Sequence, residues 1–558
     1  MKNKLPSLSA TRRLVHAFAF ITAAFLLTAC SDDYANVLPE DCAGVLKIDL
    51  KSIADKAQLD ENAELKDLKE AFLDKAQEYM KGSYYKELKE ILDNPEKLGI
   101  DLRCPVYLFA PSKSFPYAGL VAKTLDDEDF SNLLELFLKK SDAGRLKEYD
   151  HCKMAVDNSG KMAVAFDDNS IMLAVAVDND NGRIGRDVRR RFEEKKESSI
   201  YDNPAFRKMD KADDDVAACV MMKNVMKILP VDEREELKQM SKMVRMQDWS
   251  VIGGLSFNDS DIKAYVEPVA ETEEARKQMA DAQEMLPGTK GKQLAMLPDD
   301  AFLVFGSALN GKKYWDYIRK IDVIKQAMDS EPEMADLIGR TVCAISGEWT
   351  VAIGLPADKD TNMPAFEGLV DINDKVAVEN ALAKAEEQIP AKSVMVYDED
   401  YYNSTGGLYP VKEFKVFGRD AAKGTYTLRL DEKEKGGNVV TMGTTAKVFY
   451  FSTRSGFNPG ATPKKSLADA GFAKRIKGEL AFAVLDFTKL FEEKGIKKDI
   501  FGNKYSEYAE KFETAELHVS EDMRYTMELR FRDLAKKENP LTLLADMFFD
   551  AARTEGGF

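Results

Sequence analysis

The sequence predicts an α+β fold in which two tandem copies of one module follow a lipoprotein signal peptide, each copy a mainly antiparallel sheet with helices packed on it. Three observations predict this fold. Short apolar segments occur in pairs joined by polar turns, which is typical of antiparallel hairpins. Segments with apolar residues at three- and four-residue spacing lie between these pairs and indicate helices. A turn sequence that precedes the first strand returns near the middle of the 558-residue chain.

The first thirty residues are typical of a signal for lipid attachment. A basic start without acidic residues is followed by the apolar run Leu14–Leu27, which is shorter than the roughly 20 residues that a membrane-spanning helix needs. The run ends in Leu27-Thr28-Ala29-Cys30, which resembles a bacterial lipobox. A plain secretory signal needs small residues at the cleavage site but no cysteine after it. We therefore predict cleavage before Cys30 and a lipid on its sulfur.

The next residues indicate where the anchored protein lies. Ser31-Asp32-Asp33 resembles the surface-export signal of Bacteroidetes lipoproteins, which implies the cell surface. The alternative is an acidic spacer on a protein at the periplasmic face of the outer membrane. Two or more acyl chains anchor a protein stably, at ~0.8 kcal/mol per buried CH₂. The linker from Cys30 to Val37 spans at most roughly 25 Å, so we expect the body close to the membrane.

The predicted mature chain is strongly acidic. Without residues 1–29 it has 76 basic and 96 acidic residues, which gives a formal net charge of −20. Such a charge argues against a nucleic acid partner, because nucleic acid binding needs basic patches that neutralise phosphates. The length predicts more than one domain, at ~100–200 residues each.

The elements of the first copy are predicted from hydrophobic periodicity. Lys47 and Asp49 are expected to point outward from the first strand. The predicted strands are 42–50, 105–110, 117–123, 162–166, 171–177, 216–221, 250–257 and 262–266, and the predicted helices are 51–80, 84–92, 127–140 and 186–196.

The second copy is predicted from residues that recur in the same order. The turn around Pro39 returns around Pro298, 259 residues later. This shared order favours an internal duplication over two unrelated α+β domains. The further matches are Gly119 with Gly368, Ala217 with Ala481 and Leu255 with Leu517, at shifts of 249, 264 and 262 residues.

The chain is therefore divided into six predicted segments, and the last helix is expected to pack against the second copy. The segments are the lipoprotein signal peptide (1–29), the lipidated linker (30–36), copy 1 (37–268), a helical connector (269–293), copy 2 (294–533) and a C-terminal helix and tail (534–558).

Three features together resemble an uncharacterised family of Bacteroidetes lipoproteins of similar length. They are the lipobox, a Leu-Pro-x-Asp-Ala-type turn before the first strand, and the return of that turn mid-chain. The first copy departs from the turn pattern, with Cys42 where the second copy has Ala301. The resemblance implies a location and a fold, but no known activity.

The sequence contains no complete catalytic or metal-binding motif. A Ser-His-Asp or Cys-His arrangement must use one of the two histidines of the mature chain, His151 and His518. His518 is predicted within a strand. His151 adjoins Cys152 in a turn, and one Cys-His pair lacks the two further ligands of a zinc site. We therefore predict no metal and no cofactor.

The cysteines after the lipid site are interpreted as packing residues. Their odd number and the lack of CxxC spacing exclude a small disulfide framework, and the sequence leaves their pairing open. Cys42 matches Ala301, and Cys219 matches Ala483, which suits small apolar positions. The five cysteines are Cys42, Cys104, Cys152, Cys219 and Cys343.

An aromatic-rich insertion in the second copy is the candidate contact surface. Tyrosines on a loop suit sugar stacking or protein contacts, and the alternative is a loop that packs on its own domain. The candidate residues are Tyr397, Tyr401, Tyr402 and Tyr409.

The leading hypothesis is a non-enzymatic binding or assembly protein, held at the outer membrane by acyl chains on Cys30, with a surface protein or a polysaccharide as partner. One alternative is a glycan-binding component of an uptake system. Another is a hydrolase that uses two carboxylates, which the sequence does not identify among its 96 acidic residues.

Overall fold

The computed structural model describes residues 32–58, 85–86, 89–90, 94–141, 144–176, 183–194, 199–230, 232–233, 245–356, 363–395, 404, 411–430, 438–492, 508–534 and 539–554. The chain divides into two compact units. Unit 1 comprises residues 1–276 and 534–558, and unit 2 comprises residues 277–533. Both units combine helices with antiparallel strands, so the predicted α+β class is confirmed.

Unit 1 contains an antiparallel sheet with the order β4-β5-β6-β7-β3-β2-β1-β8-β9-β10. Its strands are β1 Gly44–Ile48, β2 Val106–Phe109, β3 Tyr117–Lys123, β4 Lys147–Tyr149, β5 Cys152–Val156, β6 Met162–Phe166, β7 Ser170–Ala176, β8 Val216–Met221, β9 Trp249–Phe257 and β10 Asp261–Ala270. Its helices are α1 Leu50–Lys56, α2 Asp127–Ser141, α3 Ile184–Glu193, α4 Pro204–Asp210 and α5 Met222–Ile228.

Apolar side chains pack on both faces of this sheet. Tyr107 belongs to a core that also includes α3, α4 and the 3₁₀ helix Asp32–Val37. Val106 belongs to a second core, built with α2. Because successive strand residues point to opposite faces, the two cores lie on opposite sides of the sheet.

Helix α6, Glu273–Met285, contains the boundary between the two units. Unit 2 then forms a sheet with the order β16-β17-β18-β19-β13-β12-β11-β20-β21-β22. A separate pair, β14 and β15, lies outside it. The strands are β11 Ala301–Asn310, β12 Ile345–Gly354, β13 Ala365–Ile372, β14 Lys392–Met395, β15 Val411–Phe414, β16 Phe417–Asp420, β17 Thr425–Arg429, β18 Val439–Thr444, β19 Val448–Ser452, β20 Ala481–Asp486, β21 Phe512–Val519 and β22 Tyr525–Phe531.

The helices of unit 2 also lie on both sides of its sheet. Leu369 packs with the 3₁₀ segments around Leu294 and Phe472, whereas its neighbour Val370 packs with Ala377 and Val378 of α10. The helices are α7 Gly311–Ile318, α8 Asp322–Ser330, α9 Pro332–Ala344, α10 Lys375–Gln388 and α11 Phe487–Leu490.

The C-terminal helix α12, Pro540–Thr554, belongs to unit 1. The Thr542 hydroxyl donates to the Lys56 carbonyl at 3.2 Å, and the Asn539 amide donates to the Asn258 carbonyl at the same distance. The expectation that this helix packs against the second copy was therefore wrong. Its amphipathic pattern predicted a buried face but carried no information about the partner.

The expectation that Lys47 points outward was also wrong. Lys47 is buried on the same face of β1 as Val45, and its ammonium donates to the carbonyls of Asp210 and Ala212 at 2.6 and 3.2 Å. These carbonyls lie at the C-terminal end of α4, where a helix carries partial negative charge. The buried cation therefore caps that helix.

Candidate functional site

The proposed lipid site lies at the edge of the described chain. Cys30 and Ser31 lie outside the described residues, and Asp32 and Asp33 begin the first 3₁₀ helix. Tyr34 is already 1% exposed, and its hydroxyl donates to the Pro105 carbonyl at 2.7 Å. The part of the predicted linker from Tyr34 onward is thus packed into unit 1.

The tyrosine loop also falls outside the described residues. Tyr397, Tyr401, Tyr402 and Tyr409 all lie in its undescribed parts. The chain on either side of the loop pairs as β14 and β15, from Lys392 opposite Phe414 to Met395 opposite Val411.

The two histidines lie in different settings. His151 occupies the exposed turn between β4 and β5. His518 lies in β21, where its Nε2 is 3.1 Å from Glu516 Oε2. Its Nδ1 is buried without a hydrogen-bond partner in the described part of the chain, so no serine or cysteine completes a catalytic triad there.

Glu516 instead organises a buried ion network. Its carboxylate accepts hydrogen bonds from Arg475 and from the Thr514 hydroxyl, and Arg530 Nε lies 3.5 Å away. Burial opposes ionisation, but the hydrogen bonds from His518, Arg475 and Thr514 outweigh it and lower the pKa of Glu516 to about 2. A carboxylate that stays ionised in this way cannot serve as a general acid near neutral pH.

Two of the described cysteines, Cys42 and Cys219, are poor nucleophiles. Burial raises the pKa of the Cys42 thiol far above its usual value, and burial and the Glu271 charge raise that of Cys219 to about 12. Since the thiolate is the reactive form, neither is poised for attack. Cys152 and Cys343 are not disulfide-bonded, whereas Cys104 takes part in a disulfide bond.

The buried carboxylate of Glu348 holds a loop in place. Glu348 accepts hydrogen bonds from the backbone N–H groups of Lys290, Gly291 and Lys292, the last two at 2.7 and 3.1 Å. Burial nevertheless raises its pKa. These bonds fix the segment before β11. The described residues also contain no group of three His, Cys, Asp or Glu side chains placed to hold a metal ion.

The candidate binding site is a pocket of about 380 Å³ at the edge of the unit 1 sheet. Arg145, Lys147 and Tyr149 alternate along one face of the strand segment that contains β4. Met154 and Val156 form the neighbouring apolar wall on β5. We call this site the basic pocket; its lining residues are Gly144, Arg145, Lys147, Tyr149, Met154, Val156 and Asn158.

Helix α3 closes one side of the basic pocket. A Cβ atom on Gly185 would lie 2.8 Å from a methyl group of Val156, so the helix approaches β5 closely there. One turn further, the Arg189 guanidinium lies 5.3 Å from the centre of the Tyr149 ring. Arg189 also pairs with Glu193 at 3.1 Å. The guanidinium therefore holds the Tyr149 ring in place, while Glu193 balances its charge.

Two acidic neighbours of the basic pocket, Glu148 and Asp157, point away from it or are occupied. Glu148 lies opposite Lys153, on the other face of the β4–β5 pair. The Asp157 carboxylate accepts from the backbone N–H groups of Lys161 and Met162, both at 2.8 Å. Within the described chain, no carboxylate forms an ion pair with Arg145 or Lys147. The site therefore presents cations and apolar surface, which suits binding an anion and offers no catalytic base.

The second pocket, of about 440 Å³, lies among α7, α8 and α9. It contains the carboxylates Asp329 and Asp336, but Asp336 pairs with Arg340 at 2.9 Å and is 62% exposed. A carboxyl that acts as a general acid needs a desolvated setting. This pocket thus gives no support to the hydrolase alternative.

Sequence reasoning missed the basic pocket because its parts are distant in the sequence. Arg145 and Arg189 are 44 residues apart, and β4 has only three residues. The alternation of Arg145, Lys147 and Tyr149 was the one available signal.

Comparison with known proteins gives a family without an assigned activity. The family model described as "Domain of unknown function (DUF4836)" matches residues 34–408. No curated protein and no solved structure matches the chain. The match begins at the buried Tyr34 and covers all of the first sheet.

Proposed function

The chain belongs to the DUF4836 family, and from its own residues we propose that it is a lipid-anchored protein of the outer membrane, exposed at the cell surface, which binds or assembles other molecules without catalysis. The lipobox that ends at Cys30 is the observation that carries the location. Among the described residues, no helix is long and apolar enough to cross a bilayer.

The burial of Tyr34, four residues after Cys30, supports a short tether. The step between consecutive Cα atoms is 3.8 Å, so the chain from Cys30 to Tyr34 spans at most about 15 Å. Because the Tyr34 side chain is fixed in the core of unit 1, a lipid on Cys30 holds that unit against the membrane surface. The tether is shorter than the roughly 25 Å expected from the sequence.

Among the described residues, the candidate catalytic groups are not arranged for catalysis, which supports a binding role. The Nδ1 atom of His518 has no hydrogen-bond partner, the thiols of Cys42 and Cys219 resist ionisation, and the partners of Glu516 keep its carboxylate ionised. The described lining of the basic pocket contains cations but no carboxylate.

We also propose that the two units are copies of one module. Both sheets follow the same strand order, with β1 to β3, β4 to β7 and β8 to β10 corresponding to β11 to β13, β16 to β19 and β20 to β22. Val45 and Val304, which match at the shift of 259 residues, are both buried at the centre of their sheets. The pair β14–β15 is then an insertion in the second copy.

The strand registers refine the residue matches. Val45 lies opposite Cys219, and Val304 lies opposite Val484. Cys219 therefore corresponds to Val484, one residue beyond the predicted match Ala483. A shift of one residue moves a side chain to the other face of a sheet, so Ala483 does not share the environment of Cys219. The interpretation of Cys219 as a packing residue is retained.

Metabolic labelling tests the lipid anchor. The full chain would be expressed in a Bacteroidetes host with labelled palmitate, as wild type, Cys30→Ser and Cys343→Ser. We expect label and membrane partition for the wild type and Cys343→Ser, and neither for Cys30→Ser. A labelled, membrane-bound Cys30→Ser protein would contradict the proposal.

Protease treatment of intact cells tests the surface location. We expect digestion of the wild type and protection of the variant Asp32→Asn/Asp33→Asn, retained at the periplasmic face. The matched control is Asp213→Asn/Asp259→Asn, which removes two exposed acidic residues elsewhere in unit 1. Protection of the wild-type protein would exclude the cell surface.

A further inference from the structure

We propose that the basic pocket binds an acidic sugar residue, one that carries a carboxylate or phosphate group, as part of a larger glycan. This inference rests on the proposed function, since it names the ligand class of a surface binding protein. The proposed site is formed by residues between Gly144 and Asn158 and does not include the tyrosines of the predicted contact loop.

The charge of the site is the first argument. The whole chain carries a formal net charge of −16, yet Arg145 and Lys147 project from one face without a carboxylate partner in the described residues. Arg189, whose charge is paired with Glu193, lies beside them on the Tyr149 ring. Arginine offers a planar set of N–H donors that matches a carboxylate or phosphate, and lysine adds a compact charge. Such a cluster favours an anionic ligand.

The apolar wall is the second argument. Met154 and Val156 form one side, and the Tyr149 ring is held by the Arg189 guanidinium. Ligand pockets combine apolar and aromatic walls with a few placed polar groups. A bare inorganic anion gains little from an apolar wall, whereas the C–H face of a sugar ring can pack on it. The combination favours a sugar with a charged substituent.

The backbone that shapes the pocket is the third argument. Gly144 has φ of +118°, and a Cβ there would lie 2.3 Å from the Val156 carbonyl oxygen. Glycine adopts this conformation without strain, so the chain passes close to β5 just before Arg145. A volume of about 380 Å³ lies at the small end of ligand pockets, about 300–1,000 Å³. It suits one or two sugar residues better than a folded protein partner.

The competing explanation is that these charges only protect a sheet edge. In the described structure β4 pairs with β5 alone, and charged residues on edge strands discourage pairing with other chains. This explanation requires neither an apolar wall nor a tyrosine fixed by arginine, and it predicts no ligand. Binding measurements therefore separate the two.

Calorimetry on the full lipidated protein in non-ionic detergent tests the proposal. The probes are digalacturonate, galactose 6-phosphate, neutral galactobiose and inorganic phosphate. We expect at least one acidic sugar to bind, with affinity that falls as salt screens the charges, and no binding of galactobiose. Inorganic phosphate should bind at least tenfold more weakly than that acidic sugar. Equal affinity for inorganic phosphate, equal affinity for galactobiose, or no binding of either acidic sugar would overturn the proposal.

Matched variants locate the binding. Arg145→Gln/Lys147→Gln should weaken binding of the acidic sugar at least tenfold. Lys464→Gln/Lys465→Gln, which removes two exposed lysines in unit 2, should leave it unchanged. Equal losses of affinity in both variants would indicate an effect of net charge and would overturn the assignment of the site. Both variants should remain lipidated and membrane-bound, so a loss of sugar binding can be distinguished from a loss of the lipid anchor.

A measurement on the wild-type protein removes any dependence on variant folding. Acetylation of lysines, read by mass spectrometry, should slow at Lys147 when the acidic sugar is present and stay unchanged at Lys464. Unchanged acetylation of Lys147 at saturating sugar would place the ligand elsewhere and overturn the proposal.

Discussion

The Tyr34 hydroxyl donates a hydrogen bond of 2.7 Å to the Pro105 carbonyl. The ring of Tyr34 also lies 5.7 Å from the ring of Tyr107, measured between centroids. Within the described part of the chain, the bond joins the first buried residue to the residue before β2. The N-terminal segment of unit 1 is therefore part of the fold, and its stability should depend on this side chain.

Replacing Tyr34 should loosen this segment locally. Tyr34→Phe removes a buried hydroxyl and leaves the Pro105 carbonyl without that donor, which costs about 1 kcal/mol. Tyr34→Ala also removes the ring and should cost about 3–5 kcal/mol. Hydrogen exchange read by mass spectrometry should show faster exchange in residues 34–48 for both variants. Tyr314→Phe, at a 38% exposed tyrosine, is the control and should leave this exchange unchanged.

The Glu516 network should make the protein sensitive to acid. The pKa of Glu516 is about 2, below its ordinary value of 4.5, so below pH 4.5 the unfolded state binds the proton first. Its contribution to stability is complete above that pH and is lost as pH falls toward 2. The shift corresponds to on the order of 3 kcal/mol.

The matched variants are Glu516→Gln and Glu513→Gln. Both residues lie in β21, but Glu516 is buried and Glu513 is exposed. Glu516→Gln should destabilise the protein at pH 7, because Arg475 loses its carboxylate partner, and should flatten the fall in unfolding free energy between pH 5 and 2. Glu513→Gln should behave as the wild type. Equal pH profiles for all three proteins, from urea unfolding, would contradict the assigned role.

The sequence predicted elements best where one pattern dominated. The mainly apolar runs 117–123 and 216–221 gave the bounds of β3 and β8. Lys47 was misplaced because alternation treats every lysine as exposed, while the carbonyls that bind it come from residues over 160 positions away. The basic pocket could not be predicted, because hydrophobic periodicity does not show which helix packs beside β4.

The register of the two sheets predicts which cysteine replacement is tolerated. Cys219 corresponds to Val484, so Cys219→Val should lower the unfolding free energy by less than about 2 kcal/mol, because the equivalent position already accommodates valine; added core volume otherwise costs ~1–3 kcal/mol. Val484→Cys is the reciprocal control and should be similarly mild. Urea unfolding of each variant gives the measurement. A loss above about 3 kcal/mol for Cys219→Val would contradict the equivalence, and loss of ligand binding without loss of stability would contradict the packing role.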